Sequence, residues 1–113
     1  MKLAQQMYIA ELLDFYGGML TNSQVKIVRG YVDYNASLGE LANECGITRQ
    51  AVSDMLRRSI AKLESFEAKM GLVGKYHLIL QGIPARAREI TTDADKIEEI
   101  TAIFTQLFKT LED

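Results

Sequence analysis

The 113-residue chain contains one cysteine, one proline, one histidine and no tryptophan. Because Cys45 has no second cysteine to pair with, the sequence favours a reducing cytoplasm over an oxidising compartment. His77 has neither another histidine nor a cysteine cluster near it, so we expect no zinc site. The sequence therefore predicts no metal or other cofactor.

Long apolar runs are also missing from the sequence. No run is long enough to span a bilayer, and residues 1–6 do not form the continuous apolar stretch of a signal peptide. There is no glycine-rich phosphate loop followed by Lys-Ser/Thr, no HExxH motif and no nucleophile with a plausible histidine partner. We therefore predict a cytoplasmic protein that is not an enzyme and does not insert into membranes.

The charged residues are unevenly distributed along the chain. The formal net charge is −2, whereas a stand-alone nucleic-acid-binding protein usually carries a clear positive excess. From residue 48 to 62, four basic residues and one acidic residue give a local charge of +3. From residue 89 to 113, seven acidic and two basic residues give −5. This distribution fits nucleic-acid contact at one end and protein contact at the other, and it equally fits solvated helix faces.

The single proline and the absence of strand-like alternation predict an all-α protein. The predicted helices cover residues 3–20, 21–34, 49–70 and 76–80, and a last helix follows residue 92. A third helix is expected to begin after Ser37 and to end before the turn at Cys45 and Gly46. The first helix is expected to bury Tyr8, Leu12, Phe15, Tyr16 and Met19, and the second Val25, Val28, Tyr31 and Val32.

Capping residues predict where several of these helices begin and end. Thr21 and Gln24 have the spacing of a capping box at the start of the second helix. Ser37 is expected to cap the third helix and Thr92 the last one. Pro84 is expected to end the short helix, because proline lacks the backbone N–H that a helix interior requires.

Residues 37–63 show the spacing of a helix-turn-helix. With Leu38 counted as the first position, Ala42 is the fifth, Gly46 the ninth and Val52 the fifteenth. A small residue is needed where two helices cross closely, and a glycine is needed where the turn adopts a left-handed conformation. Ile47 and Val52 are expected to pack the second helix onto the first. Such a unit usually places its second helix in a major groove.

The exposed face of that second helix supplies the candidate nucleic-acid-binding residues, which are Thr48, Arg49, Gln50, Ser53, Arg57, Arg58 and Lys62. Thr48 is also the expected N-cap. Arg49 and Gln50 suit bidentate hydrogen bonding to guanine or adenine edges. The three basic residues further along the helix suit phosphate groups of DNA or RNA.

Two features leave alternatives open for this face. An RNA helix has a deep and narrow major groove, so against RNA the face can touch only the backbone or a loop. Asp54 lies in the middle of the face and would repel phosphate, which favours a scaffold without nucleic-acid contact. Lys26 and Arg29 on the preceding helix are further candidates for phosphate contact, although such residues are more often plain surface.

The last helix carries an apolar stripe with heptad spacing, formed by Ile97, Ile100, Phe104, Leu107 and Leu111. The stripe predicts one of three arrangements: packing against the rest of the chain, a dimer contact, or docking of a partner helix. We expect residues 1–76 to form the helix-turn-helix domain. Residues 77–113 are expected to form a C-terminal helical extension that packs on this domain or forms a dimer contact.

Several stretches of the chain resemble the YlxM family of small bacterial proteins. They are ELLDFY at residues 11–16, LTNSQ at 20–24, SLGELA at 37–42 and GITRQAV at 46–52. The resemblance covers roughly residues 7–76 and is most specific at residues 48–52. It implies an all-α helical bundle with a helix-turn-helix similar to region four of sigma factors, followed by the C-terminal amphipathic helix.

The resemblance also implies a function. It points to a cytoplasmic accessory or regulatory factor of the bacterial signal recognition particle pathway. The implied partners are the RNA of the particle, its GTPase subunit and the receptor GTPase, and a homodimer is expected. The residues themselves leave two alternatives open. One is a DNA-binding transcriptional regulator, and the other is a protein–protein adaptor without nucleic-acid contact.

Overall fold

The computed structural model describes residues 3–112, with the side chains of residues 3–107 and 109. The described chain consists of helices joined by short turns and contains no strand, which confirms the all-α prediction. Its elements are α1 (Leu3–Tyr16), a 3-10 turn (Gly17–Met19), α2 (Asn22–Val32), α3 (Leu38–Cys45), α4 (Arg49–Met70), α5 (Leu72–Ile90) and α6 (Ala94–Glu112). Within the described residues, no helix is both long and apolar enough to cross a membrane.

The chain divides into two compact units, and the boundary in the sequence lies between Met70 and Gly71. Gly71 has a φ of 64°, in the left-handed region that interrupts a right-handed helix, and it separates α4 from α5. The first unit contains α1 to α4, and the second contains α5 and α6. The domain boundary expected after Tyr76 therefore falls inside α5.

The core of the first unit lies between α1, α2, α3 and α4. Its fully buried large side chains are Leu12, Leu13, Tyr16, Ile27, Val28, Leu41, Val52 and Leu63. The hydroxyl of Tyr16 donates a short hydrogen bond to Oε1 of Glu67, which links α1 to α4. The ring of Tyr16 also packs near that of Phe66, at a centroid distance of 6.0 Å.

The apolar stripes expected on the first two helices are only partly correct. Tyr8 and Met19 are exposed, whereas Ile9 and Leu13 are buried. The first helix ends at Tyr16 rather than Leu20, because the chain tightens into a 3-10 turn at two glycines. In α2, Val28 is buried as expected. Packing against three other helices, rather than the periodicity of one helix, selects which neighbouring residues are covered.

The expected caps of α2 and α3 are confirmed. The backbone N–H of Gln24 donates to Oγ1 of Thr21 at 3.2 Å, and the N–H of Thr21 donates to Oε1 of Gln24 at 2.9 Å. At the start of α3, the N–H of Glu40 donates to Oγ of Ser37 at 3.1 Å. These bonds satisfy amides that have no partner within the helix, and so they fix where each helix begins.

The second unit corrects two expectations about helix ends. Pro84 lies inside α5 and does not end it. An internal proline costs about 3 kcal/mol, and the buried Ile83 and Ala87 beside it are packing contacts that favour a continuous helix. The cap of α6 is Asp93 rather than Thr92, because Oδ1 of Asp93 accepts from the N–H of Asp95 at 3.0 Å. Thr91 in turn accepts from the N–H of Asp93.

Candidate nucleic-acid interface

The turn between α3 and α4 has the geometry that its sequence predicts. Gly46 adopts a φ of 67° and a ψ of 32°, so a left-handed residue ends α3. The N–H of Ile47 donates to the carbonyl of Ala42 at 3.1 Å, which satisfies a free acceptor at the helix end. Oγ1 of Thr48 accepts from the N–H of Ala51 at 3.1 Å and caps α4. The expected roles of Gly46 and Thr48 are therefore confirmed.

Packing of the two helices is partly as expected. Ala42 and Val52 are buried, which confirms their role at the contact between α3 and α4. Ile47 is 36% exposed, so it is covered less completely than Ala42 and Val52. It lies at the edge of a cleft that also contains Cys45 of α3 and Met55 of α4.

The candidate nucleic-acid-binding residues lie on the solvent-facing side of α4. Those that are exposed are Thr48, Arg49, Gln50, Arg57, Arg58 and Lys62. Ser53 is half-buried. Exposed basic side chains along one helix provide the charge that phosphate groups attract. The side chain of Arg57, with 77% of its surface exposed, is available to such a ligand.

Asp54 is the centre of a hydrogen-bonded cluster on this face. Its Oδ1 accepts from Nε2 of Gln50 at 3.2 Å and from Nη2 of Arg57 at 3.1 Å. Its backbone carbonyl accepts from Nε of Arg58 at 3.4 Å. The sequence predicts only that the charge of Asp54 repels phosphate. The structure shows that the carboxylate is paired with Arg57 and that it orients Gln50.

Arg49 lies apart from the Asp54 cluster. A Cβ added to Gly39 on α3 would be 2.8 Å from Nη2 and 3.1 Å from Nε of Arg49. The guanidinium group therefore packs along the first turn of α3, where the absence of a side chain on Gly39 leaves room for it. The sequence predicts that Arg49 and Gln50 contact bases together. In the structure, the side chain of Arg49 lies beside Gly39, whereas that of Gln50 is bonded to Asp54.

The basic residues of α2 have different surroundings. Arg29 pairs with Asp14 at 3.6 Å and with Asp33 at 2.9 Å. Partial burial raises the pKa of Asp14, and the neighbouring Asp33 raises it further, whereas Arg29 lowers it. The charge of Arg29 is therefore largely balanced within the first unit. Lys26 is exposed and lines the cleft that contains Ile47.

A second surface of interest lies on the hairpin formed by α5 and α6. Ile97 and Ile100 are half-buried, whereas Phe104 is 44% and Leu107 55% exposed. The side chain of Leu111, the fifth residue of the expected stripe, lies outside the described residues. An apolar groove on one side of the hairpin is lined by Leu78, Ile79, Ile83, Ile90, Ile100 and Phe104.

Comparison with known proteins identifies relatives of the whole chain. A family model described as "Putative helix-turn-helix protein, YlxM / p13 like" matches residues 3–108. A UPF0122 protein of Thermoanaerobacter sp. strain X514 is 33% identical over 109 residues, which cover 95% of this chain and 93% of that protein. A UPF0122 protein of Acetivibrio thermocellus is 44% identical over 89 residues, which cover 79% of this chain and 73% of that protein.

A further relative matches a shorter segment. A UPF0122 protein of Symbiobacterium thermophilum is 43% identical over 68 residues, which cover 60% of this chain and 64% of that protein. The family description names a helix-turn-helix and no enzymatic activity, and this type of fold suggests nucleic-acid binding. Because the family model spans almost the whole chain, the protein belongs to the UPF0122 family of YlxM- and p13-like helix-turn-helix proteins.

Proposed function

We propose that the protein binds nucleic acid through α4 and acts as a cytoplasmic accessory or regulatory factor of the bacterial signal recognition particle pathway. The observation that carries the binding proposal is the exposed basic row of Arg57, Arg58 and Lys62 on a capped helix-turn-helix. These side chains lie within two turns of one another, so they suit neighbouring phosphate groups. Residues 48–62 carry a local charge of +3 although the whole chain carries −2, so this segment attracts phosphate more than the average surface does.

The pathway assignment comes from the YlxM resemblance. In this proposal the nucleic acid is the RNA of the signal recognition particle, and the GTPase subunit or its receptor is the protein partner. The α4 face then contacts the backbone or a loop of the RNA, because an A-form major groove is too narrow for a helix.

A second candidate function is DNA-binding transcriptional regulation. The Asp54 cluster favours it, because hydrogen-bonded polar groups at the start of α4 are suited to base edges in a B-form major groove. A protein–protein adaptor is the remaining alternative. It requires that the helix-turn-helix bind no nucleic acid.

A competition titration tests these functions directly. Labelled signal recognition particle RNA competes with a random genomic DNA duplex of equal length for the protein, at about 50 and 200 mM salt. We expect the RNA to be preferred and the preference to be lost in an Arg49→Ala/Arg57→Ala variant. Preference for the DNA duplex would instead support a transcriptional regulator. Binding to neither ligand would contradict nucleic-acid binding and leave the adaptor.

We also propose that the α5–α6 hairpin joins two copies of the chain. Among the described side chains of α6, at residues 94–107 and 109, none is buried. A two-helix hairpin has too little apolar surface to form a stable core alone. A second hairpin would cover Phe104, Leu107 and the groove beside them, and the four helices would form a bundle.

The dimer proposal predicts a change of mass in a single variant. Wild-type protein is expected to have about twice the chain mass of 12.7 kDa by light scattering. Leu107→Asp should halve that mass, because burying an unpaired carboxylate in an apolar contact is costly. Leu3→Asp is a matched control, since Leu3 is 71% exposed and lies in the first unit. A monomeric wild type would refute the proposal.

A further inference from the structure

Asp54 retains a free hydrogen-bonding position on the exposed face of α4. Both side-chain donors in its cluster, on Gln50 and Arg57, bind the same atom, Oδ1. Within the part of the chain that the structure describes, Oδ2 accepts no hydrogen bond. About a third of the side chain is exposed, at 34%. The carboxylate is therefore held in place by one oxygen, while the other remains available as an acceptor on a side chain that is partly exposed.

The charge around Asp54 allows it to approach a nucleic acid. Arg57 pairs with the carboxylate, and Arg58 binds the backbone carbonyl of the same residue. These two guanidinium groups outweigh one carboxylate, so the local charge is positive. An acidic side chain paired in this way can approach base edges while the neighbouring arginines meet the phosphates.

The chemistry of an available carboxylate acceptor restricts which base it can contact. In the major groove, cytosine presents the N4 amino group and adenine the N6 amino group as donors. Guanine presents acceptors at O6 and N7, and thymine presents an acceptor at O4. A carboxylate is repelled by all three atoms. Carboxylate side chains in this position characteristically accept from N4 of cytosine. Asp54 therefore favours a C·G base pair.

Gln50 is placed to contact a second base pair, about two steps from the one that Asp54 contacts. It lies four residues before Asp54, a rise of about 6 Å along the helix axis. That rise is close to two base-pair steps of about 3.4 Å each in B-form DNA. One amide N–H of Gln50 is bound to Asp54, which leaves the other N–H and the amide oxygen for adenine N7 and N6.

We propose that Asp54 is a specificity-determining residue that reads the N4 amino group of cytosine in the major groove of a DNA duplex. The proposal rests on one part of the proposed function, nucleic-acid binding by the α4 face, and it takes the ligand of the second candidate function, a DNA duplex. It commits to DNA, since the A-form major groove does not admit the helix. Arg57 is then a positioning residue that holds the carboxylate and balances its charge.

Selection from a library of random DNA duplexes tests this inference. Wild-type protein is expected to select a C·G pair at one position, by about 5- to 150-fold over other pairs. Asp54→Ala should lose the preference at that position. Asp54→Asn should shift it to adenine, because an asparagine amide pairs with N6 and N7 of adenine. A merely structural role for Asp54 would not produce a change of base identity.

Glu64→Ala is the matched control, because it removes the same charge from an exposed site on the same helix. It should leave the selected sequence unchanged. The inference is overturned if wild type and Asp54→Ala select the same sequence. Binding of wild type to particle RNA but not to DNA overturns the inference and leaves the proposed function standing. Binding to neither RNA nor DNA overturns both.

Discussion

Replacing Arg58 and Lys62 together with alanine is expected to weaken binding to every duplex by about 60-fold at roughly 0.1 M salt. Both side chains are exposed on α4, on the C-terminal side of Asp54, where a bound duplex is expected to present its backbone. Each phosphate contact contributes about 0.9 to the slope of log affinity against log salt concentration. Loss of two contacts should therefore reduce that slope by about 1.8.

Fluorescence anisotropy of a labelled duplex, measured across a range of salt concentrations, gives both the affinity and the slope. The matched control is Lys96→Ala/Lys109→Ala, which removes the same charge from the exposed surface of α6. If net charge alone governed binding, both double variants would lose the same affinity. An equal loss, or an unchanged salt slope in Arg58→Ala/Lys62→Ala, would contradict phosphate contact by α4.

The two kinds of substitution on α4 should differ in what they change. Removing Arg58 and Lys62 should lower affinity uniformly, because phosphates carry no direct sequence information. Removing Asp54 should alter the selected base and leave the salt slope almost unchanged. The helix α4 would then carry two residues that contact phosphates, Arg58 and Lys62, and one residue that determines base preference, Asp54.

Features that depend on local chemistry could be predicted from the sequence. A threonine or serine before a helix accepts from free amides within three residues, and Thr21, Ser37 and Thr48 all do so. Gly46 adopts the left-handed conformation that the turn requires. The bounds of α4 also follow, because its apolar face is long and ends at a glycine.

Features that depend on tertiary packing could not be predicted in this way. Pro84 is a strong local signal for a helix end, yet α5 continues through it while Ile83 and Ala87 are buried. At Pro84 the local preference competes with an interaction that the residue type alone does not reveal. The cap of α6 is a different case, a choice between two adjacent local signals: the carboxylate of Asp93, not the hydroxyl of Thr92, binds the helix amides.

The candidate site shows the same limit at the level of side chains. Sequence spacing identified the exposed face of α4, which is set by the helix period. It did not indicate that Asp54 binds both Gln50 and Arg57, because such contacts depend on rotamers. Nor did it indicate that Arg49 packs beside Gly39, since that contact joins two helices.

Two glycine-to-alanine substitutions in the first unit are expected to change stability in opposite directions. Gly30→Ala should destabilise the protein by about 1–2 kcal/mol. The strain of overpacking the core is expected to exceed the gain in helix propensity from glycine to alanine. A Cβ at this position would lie 2.6 Å from Cδ2 of Leu41, which is fully buried and has little space to move into.

Gly39→Ala should instead stabilise the protein by about 0.5–1 kcal/mol, the gain typical of replacing glycine in a helix. Its Cβ would also be close to a neighbour, at 2.8 Å from Nη2 of Arg49, but that side chain is exposed and can rotate into solvent. Urea unfolding followed by circular dichroism measures both changes. The two variants create contacts of similar length, so shifts of equal sign and size would show that the freedom of the neighbouring side chain does not decide the outcome.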